Sequence, residues 1–347
     1  MPFIDFTAII EEAWKAYDNT REIIRIVDIS AKVSTNHVYR VTFTDGNFII
    51  AKMSYFGRFE HFVEDHSIID TLSNNLPAPF ENFLARALAK GRSLFVYRYK
   101  DEILDAWVVF YRPIVIKKKL PRRLDESQIV KLAVQIALFH KACHNTRNTL
   151  PPSSKTLQTD IDHLLELIET DEGKFEHRMH VDEIKQQSKL FIKNTEILKA
   201  PDFDTIPVFV DWNIGNFSVT SSLRLFSRWD YDWFRMGSRM LDFYFLSRVV
   251  SNVGDRTAFS YYIGPLMEER FLIFLKAYHE VYPLKEAEIR FLKEVYRFFI
   301  LNYVIKDGRF FFHELFAIKL QKEAYDIYFP SIEKEFNADI ILKALNI

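Results

Sequence analysis

Three oxygen-bearing side chains in the middle of the sequence have the types and spacing that phosphate chemistry requires. The segment VFVDWNIGNFSV (208–219) places Asp211 directly after an apolar strand and Asn216 five positions later. A second apolar stretch, LRLFSRWD, ends at Asp230. Phosphoryl transfer needs a carboxylate that takes or orients the proton of the attacking hydroxyl, and oxygen ligands that hold Mg²⁺ on the nucleotide phosphates. Asp211 suits the first role, and Asn216 and Asp230 suit the second.

A lysine in the N-terminal third has the charge to meet such phosphates. Lys52 lies in the apolar segment NFIIAKM, which follows the strong hairpin signal Asp45-Gly46. Because side chains alternate along a strand, Lys52 shares a face with Phe48 and Ile50. Taken alone, such a lysine is typical of a solvated sheet edge, so its meaning depends on the other motifs.

The elements that position these residues fall into two regions of different class. The first third alternates with period two, which predicts antiparallel strands, and one helix is predicted from Glu60 to Leu72. From Asp125 the pattern is helical, and helices return from Asp242 to the C-terminus. We predict an α+β fold with an antiparallel-sheet N-lobe over residues 1–112 and a larger, mostly helical C-lobe over residues 113–347. The predicted strands are IIRIVDIS, NHVYRVTFT, NFIIAKM, SLFVYRY and AWVVFYRPI, followed in the C-lobe by PVFVDW and LRLFSRWD.

Together these motifs resemble the aminoglycoside phosphotransferase family, whose superfamily includes choline kinases and homoserine kinases. The family's catalytic segment is commonly written H-G-D-x-x-x-x-N, and FVD (209–211) and Asn216 occupy its places here. Its second segment, I-D-[WF] with another Asp twelve residues later, is matched by WDY (229–231) and Asp242. The resemblance runs from about residue 20 to about residue 330. It implies a bilobal protein-kinase-like fold.

The resemblance also implies a role for each matching residue of the C-lobe. Asp211 would be the catalytic base, Asn216 and Asp230 would bind Mg²⁺, and Asp242 would brace the catalytic loop. His140, in the family-like L-x-H at the end of a helix, is expected to be a hydrogen-bonded packing residue. The implied cofactors are Mg²⁺ and either ATP or GTP, between which the sequence does not choose. The implied partner is a small molecule that offers a hydroxyl group.

The resemblance also assigns nucleotide-binding roles to residues of the N-lobe. Lys52 matches the strand lysine that contacts the nucleotide phosphates. Glu64 in the following helix is its expected ion-pair partner, although Asp65 fits the helical register almost as well. The segment STNHVYRV (34–41) takes the position of the phosphate-covering loop. Ser34 and Asn36 would there serve in place of glycine.

The sequence differs from the family pattern at two places that bear on catalytic activity. Phe209 replaces the usual histidine, and the phosphate loop has no glycine. Neither change removes a catalytic group, so we expect an active ATP- or GTP-dependent O-phosphotransferase for small molecules. The alternative is a catalytically weak or inactive kinase-like protein that binds nucleotide. Protein kinase activity is disfavoured, because the twelve residues from Asp230 to Asp242 leave no room for an activation segment.

Composition narrows the partners and the compartment. The 347 residues include 46 basic and 47 acidic side chains, so no global field favours nucleic acid or an anionic membrane. The basic run KKKLPRR (117–123) is typical of a solvated connector. One cysteine, Cys143, excludes an intramolecular disulfide and fits a reducing compartment. No stretch approaches the roughly 20 apolar residues of a membrane span. We expect a cytoplasmic protein of unspecified oligomeric state that binds neither nucleic acid nor membrane.

The residues that follow the second motif are the main indication of which small molecule accepts the phosphoryl group. Asp232 and the rings of Tyr231, Trp233 and Phe234 follow directly, and Trp212 adjoins the predicted base. Aromatic faces attract ammonium groups by about 0.5–2 kcal/mol, and a nearby carboxylate adds to this. These residues favour an amino alcohol or an aminoglycoside-like acceptor. The competing interpretation is that the rings only pack in the core of a chain that is 16% aromatic.

Overall fold

A five-stranded antiparallel sheet forms the N-lobe in the computed structural model, which describes residues 5–31, 37–254 and 260–347. Ser34 and Asn36 therefore lie outside the described residues. In chain order the strands are β1 (Ile23–Asp28), β2 (His37–Phe43), β3 (Phe48–Ser54), β4 (Ala89–Lys90), β5 (Ser93–Leu94), β6 (Val96–Lys100) and β7 (Asp105–Tyr111). The main sheet has the order β1-β2-β3-β7-β6, and β4 and β5 form a separate hairpin. The predicted strand SLFVYRY is thus divided between two sheets.

The alternation along β3 sends its side chains to opposite faces of the sheet. Ile49, Ala51 and Met53 are buried in a small core that includes helix α1 (Phe6–Tyr17). Lys52 projects from the other face, since neighbouring side chains point in opposite directions. The strand is central to the sheet, so the backbone of Lys52 is held between β2 and β7. The lysine is therefore not the charge of a solvated edge.

Helix α2 (Phe59–Asn75) leaves the end of β3 and crosses to the C-lobe side of the sheet. Its buried residues Ile68, Ile69 and Leu72 belong to the large core of the C-lobe rather than to the small core around α1. The predicted lobe boundary at residues 112 and 113 follows the last strand of the sheet. It remains a proposal, because the packing of α2 crosses it.

Helices dominate the rest of the chain. They are α3 (Glu126–Thr146), α4 (Leu157–Leu167), α5 (Asp171–His177), α6 (Val181–Ile197), α7 (Phe243–Val250), α8 (Glu269–Val281), α9 (Glu286–Phe299), α10 (Gly308–Phe311), α11 (Glu314–Glu323), α12 (Phe329–Glu335) and α13 (Ala338–Leu345). A π-helical segment (Ile300–Lys306) extends α9, and another (Ala324–Tyr328) joins α11 to α12. Within the described ranges, no helix is long and apolar enough to cross a bilayer.

Two short sheets interrupt the helices and carry the candidate residues. Strand β8 (Thr205–Val208) pairs with β11 (Arg235–Ser238), and β9 (Phe217–Val219) pairs with β10 (Leu225–Arg228). The α+β, bilobal architecture predicted from the sequence is confirmed. The loops that follow β8 and β10 meet beneath the main sheet, and they carry Asp211, Asn216 and Asp230.

Candidate active site

The loop after β8 holds Asp211 in a fixed orientation. One oxygen of its carboxylate accepts a hydrogen bond from the backbone N–H of Asn213 (3.0 Å), and the other accepts one from the side-chain amide of Asn216 (2.9 Å). Burial and the neighbouring charge of Asp230 raise the pKa of Asp211 to about 6. The carboxylate is therefore more basic than an ordinary aspartate and still ionised at neutral pH.

A buried carboxylate supports this loop from behind. Asp242 accepts hydrogen bonds from the backbone N–H groups of Phe209 (2.9 Å) and Val210 (2.6 Å). His140 bridges the same carboxylate (3.0 Å) and the hydroxyl of Tyr278 (2.8 Å). The expected brace by Asp242 and the expected packing role of His140 are both seen in these contacts. Neither side chain is available to substrate, since both are fully buried.

The backbone of the loop is strained at one position. Val210 has φ +60°, a left-handed conformation that disfavours residues with a Cβ, and most of all β-branched ones. The family pattern places glycine at this position. The strain therefore accounts for that preference, and it shows that the surrounding hydrogen bonds hold the loop in this conformation despite a local cost.

A second support comes from a residue that the sequence had not singled out. Arg228, at the end of β10, is fully buried, and its guanidinium donates to the backbone carbonyl of Asp211 (2.7 Å). The guanidinium carbon lies 4.6 Å from the ring centre of Phe209 and 4.5 Å from that of Trp212. Its Nε and Nη1 have no hydrogen-bond partner among the described residues. An arginine thus stacks on the phenylalanine that stands where the family has histidine.

Lys52 contacts two carboxylates of the loop after β10. Its ammonium lies 3.2 Å from Asp230 and also pairs with Asp232. Burial alone would lower the pKa of Lys52, but the two carboxylates outweigh it and raise the pKa overall. Burial raises the pKa of Asp232 to about 7. Lys52 is therefore a charged group beside Asp230, as a phosphate-binding lysine must be.

The ion pair expected between Lys52 and helix α2 does not form among the described residues. Glu64 instead accepts hydrogen bonds from the hydroxyl of Ser153 (2.7 Å) and the backbone N–H of Ser154 (2.7 Å). Asp65 pairs with Lys155, which also donates to a C-lobe carbonyl. The expectation was wrong because the acids of α2 face the segment that precedes α4, and Lys52 has nearer partners after β10.

The donor set of Asn216 and Asp230 suits a hard divalent cation. The amide N–H₂ of Asn216 is engaged by Asp211, which leaves its carbonyl oxygen as a possible ligand. The backbone N–H of Trp229 donates to the carbonyl of Asn216 (3.0 Å), so the two ligand-bearing loops lie side by side. No group of three His, Cys, Asp or Glu side chains in the described ranges is arranged to hold a metal ion. One amide and one carboxylate would need phosphate oxygens and water to complete the coordination, as is usual for Mg²⁺.

A cavity of about 620 Å³ opens beside these residues, between α2, α4 and the π-helical segment after α9. It begins at Asp232, which shares the ammonium of Lys52 with Asp230. Seven carboxylates and four lysine or arginine side chains line it, so its net charge is negative when all are ionised. At the mouth, Glu60, Asp162 and Glu166 are exposed and form no ion pair with any described residue.

The aromatic residues that the sequence suggests for acceptor binding belong mainly to the core. Trp212, Tyr231 and Phe234 are each at most 3% exposed. Trp233 packs on the rings of Phe299 and Tyr303 and also lines the cavity. These rings pack in the core, but Tyr231, Trp233 and Phe234 also line the cavity, so its lining is aromatic as well as acidic.

Comparisons with known proteins identify the fold. No family model matches the chain, and no curated sequence matches it significantly. Amicoumacin kinase hAmiN, in complex with AMP-PNP, Ca²⁺ and Ami, is 14% identical with a TM-score of 0.62 over 93% of this chain and 94% of that one. A microcompartment-associated aminopropanol kinase is 14% identical with a TM-score of 0.57 over 92% and 94%. The streptomycin–ATP–APH(2″)-IIa complex is 14% identical with a TM-score of 0.54 over 94% and 98%. The chain has the protein-kinase-like fold of these small-molecule phosphotransferases.

Three residues of this region were missed or misjudged from the sequence. Arg228 carried no signal except that a charged residue interrupts an apolar strand. The pairing of Asp232 with Lys52 had a faint signal in the Asp-x-Asp spacing after β10. Lys155 had none, because its partner on α2 is 90 residues away in the chain.

Proposed function

We propose that the protein is an ATP- or GTP-dependent phosphotransferase that acts on the hydroxyl group of a small molecule, with Asp211 as the catalytic base. The observation that carries this proposal is the convergence of Lys52 from β3, Asp211 and Asn216 from the loop after β8, and Asp230 from the loop after β10. Hydrogen bonds and ion pairs connect all four directly or through one neighbour. A fold shared with small-molecule kinases supports it.

Asp211 would receive the proton of the acceptor. Its carboxylate is already oriented by two hydrogen bonds and, with a pKa of about 6, is ionised at neutral pH. As the acceptor oxygen bonds to the γ-phosphorus and the bond to the nucleoside diphosphate breaks, the hydroxyl proton passes to this carboxylate. Asn216 and Asp230 would hold Mg²⁺, which would supply positive charge to offset the negative charge of the phosphates.

Lys52 would bind the nucleotide phosphates, and Ser34 and Asn36 would cover them. Lys52 stands in a central strand and its ammonium is directed to Asp230, so it acts beside the proposed metal site. We propose no nucleotide contact for Glu64, since its carboxylate is engaged by Ser153 and Ser154.

The charge of the cavity favours a cationic acceptor, such as an amino alcohol or an aminoglycoside-like compound. The unpaired carboxylates at the mouth would attract an ammonium group, and the cations deeper in the cavity are already paired with Asp65 or Asp160. The kinases of similar fold include one named for aminopropanol and a complex with streptomycin, which agrees with this class. A cytoplasmic location is proposed with it, on the single, buried Cys143.

The test is the substitution Asp211→Asn, measured by nucleotide turnover with amino alcohols and aminoglycosides as acceptors. Turnover should fall by about 10²–10⁴-fold, the usual contribution of a general base, while nucleotide affinity stays unchanged. Asp202→Asn, at an exposed site outside the cavity, is the matched control. Equal turnover in Asp211→Asn and the parent protein would refute the role of Asp211. Tight nucleotide binding by a parent protein that phosphorylates no acceptor would support the alternative, an inactive nucleotide-binding protein.

A further inference from the structure

The segment between β7 and α3 carries exposed basic side chains that form no ion pair with any residue the structure describes. We call residues 112–123 the basic connector. Residues 112–131 hold seven basic side chains against two acidic ones, Asp125 and Glu126, in a chain whose net charge is only -1. The six basic side chains of the connector are all exposed, and they are Arg112, Lys117, Lys118, Lys119, Arg122 and Arg123.

The β9–β10 hairpin fixes the basic connector on the surface of the C-lobe. The backbone of Lys118 donates to the carbonyl of Val219 (3.0 Å) and accepts from its N–H (2.8 Å), so the connector runs beside β9. The ammonium of Lys117 lies 3.9 Å from the ring centre of Phe226 on β10. Arg224, directly before β10, is also exposed and has no acidic partner among the described residues. The hairpin therefore adds a seventh positive charge to the same surface.

The first half of α3 extends this surface. The backbone N–H of Leu225 donates to the side chain of Gln135 (3.3 Å), so α3 lies against the same hairpin. Lys131 is four residues before Gln135 and therefore on the same side of the helix. It is exposed and forms no ion pair within the described ranges, so it is the eighth unpaired basic side chain of the surface.

Aliphatic side chains are exposed among these charges. Val115 and Ile116, directly before the three lysines, are 67% and 49% exposed, and Val130 is 40% exposed. The hydroxyl of Ser227 donates to the carbonyl of Val115 (2.8 Å), which holds this backbone on the hairpin while the side chain faces solvent. Exposed aliphatic groups surrounded by lysine and arginine are typical of surfaces that bind anionic bilayers, where charge attraction and shallow apolar insertion add.

We propose that the basic connector, with the β9–β10 hairpin and the start of α3, binds the surface of an anionic lipid bilayer. The neutral net charge of the chain argued against a membrane partner, but charges act over a Debye length of about 8 Å at physiological salt, so the local charge decides. Nucleic acid is the other polyanion that this charge would attract. Proteins that hold single strands stack the bases on aromatic rings, whereas Val115 and Ile116 are aliphatic and Phe226 is covered by Lys117.

Sedimentation of the full chain with lipid vesicles tests the proposal, and it needs neither nucleotide nor acceptor. Vesicles of equal parts phosphatidylglycerol and phosphatidylcholine should bind the protein, and vesicles of phosphatidylcholine alone should not. The triple variant Lys117→Gln/Lys118→Gln/Lys119→Gln should bind the mixed vesicles about 100-fold more weakly, since each basic residue at such a surface contributes about fivefold. Val115→Ser/Ile116→Ser, which keeps all the charges, should weaken binding by about 10-fold through lost apolar insertion.

Matched variants distinguish this surface from a general effect of charge or hydrophobicity. Lys189→Gln/Lys193→Gln/Lys199→Gln removes three exposed lysines elsewhere, and Ile103→Ser/Ile197→Ser removes two aliphatic groups that are 64% and 67% exposed. Both controls should bind the mixed vesicles as the parent does, and the Tm of every variant should stay at the parent value.

Three results would overturn the proposal. The first is a parent protein that does not sediment with the mixed vesicles, and the second is an equal loss of binding in the connector variants and their controls. The third is an RNA oligonucleotide that binds the parent, loses affinity in the connector triple variant and displaces the vesicles at equal phosphate concentration, which would assign the surface to nucleic acid. None of these results bears on the proposed phosphotransferase activity, which is measured separately.

Discussion

Substitution of Arg228 by methionine should reduce catalysis far more than stability. The guanidinium gains about 1.5–3 kcal/mol from its charged hydrogen bond to the carbonyl of Asp211 and up to about 2 kcal/mol from each ring on which it stacks. Against this, burial of the charge costs several kcal/mol, and each of its two unpartnered N–H groups costs about 1–3 kcal/mol. These opposing contributions are of similar size. Methionine has a similar length and no polar group, so the free energy of unfolding should change by no more than about 2 kcal/mol.

The effect on turnover has a different origin. Without Arg228, the carbonyl of Asp211 loses its only side-chain donor among the described residues, and the strained conformation at Val210 is less strongly held. A displacement of the carboxylate by about 1 Å is enough to reduce the rate by about 10²-fold. We expect kcat to fall by that order, with the Kd of the nucleotide unchanged, because the guanidinium faces the catalytic loop from behind.

The assay combines urea unfolding with steady-state kinetics at saturating nucleotide and acceptor. Arg224→Met removes an exposed arginine from the same hairpin and should alter neither quantity. Arg228→Lys keeps the charge but not the planar fork, and should recover only part of kcat. A kcat for Arg228→Met within about twofold of the parent value would refute the positioning role. A loss of more than about 4 kcal/mol would show instead that Arg228 mainly stabilises the fold.

Three further predictions follow from the contacts of single residues. Lys52→Ala should weaken binding of a nucleoside triphosphate more than that of the nucleoside, because the ammonium acts on phosphate charge; equal weakening in titrations of the two would contradict this. Val210→Gly should lose about 1–2 kcal/mol less stability than Val208→Gly, since only the first relieves a left-handed valine, and equal losses in urea would exclude that strain. His66 has a folded pKa of about 3, below its usual 6.5, so it contributes stability that is lost as pH falls from 6.5 towards 3. His66→Phe should therefore flatten the pH dependence of the unfolding free energy in that window by up to about 1.4 kcal/mol per pH unit, and an unchanged slope would exclude a buried neutral imidazole.

Local patterns in the sequence predicted the parts of the site that depend on strand geometry. The hairpin signal at Asp45-Gly46 predicted that a strand follows it, and alternation along that strand predicted the face on which Lys52 lies. Gly46 has the positive φ that such turns need. The family resemblance, to which the twelve-residue spacing between Asp230 and Asp242 contributes, implied that Asp242 braces the catalytic loop, where it accepts two backbone hydrogen bonds. In both cases the prediction used residues that are close together in the sequence or that form a recognisable motif.

The partners of the charged residues could not be predicted in the same way. Glu64 and Asp65 are adjacent on one helix, and a small rotation of α2 decides which of them faces Lys52. The large core sets that rotation, through contacts of α2 with residues far along the chain. As a result both acids face the segment before α4, and Lys52 pairs with residues 178 and 180 positions away.

The replacement of histidine by Phe209 is best understood from the groups that support the loop. The backbone N–H of Phe209 is bonded to Asp242, and its ring is enclosed by other aromatic rings, with Arg228 stacked on one side. Hydrogen bonds to the backbone therefore hold the loop, at the N–H groups of Phe209 and Val210 and at the carbonyl of Asp211. A polar side chain at position 209 takes no part in this. Phe209 and Arg228 thus form one packing unit, and substitutions at the two positions should be non-additive in kcat.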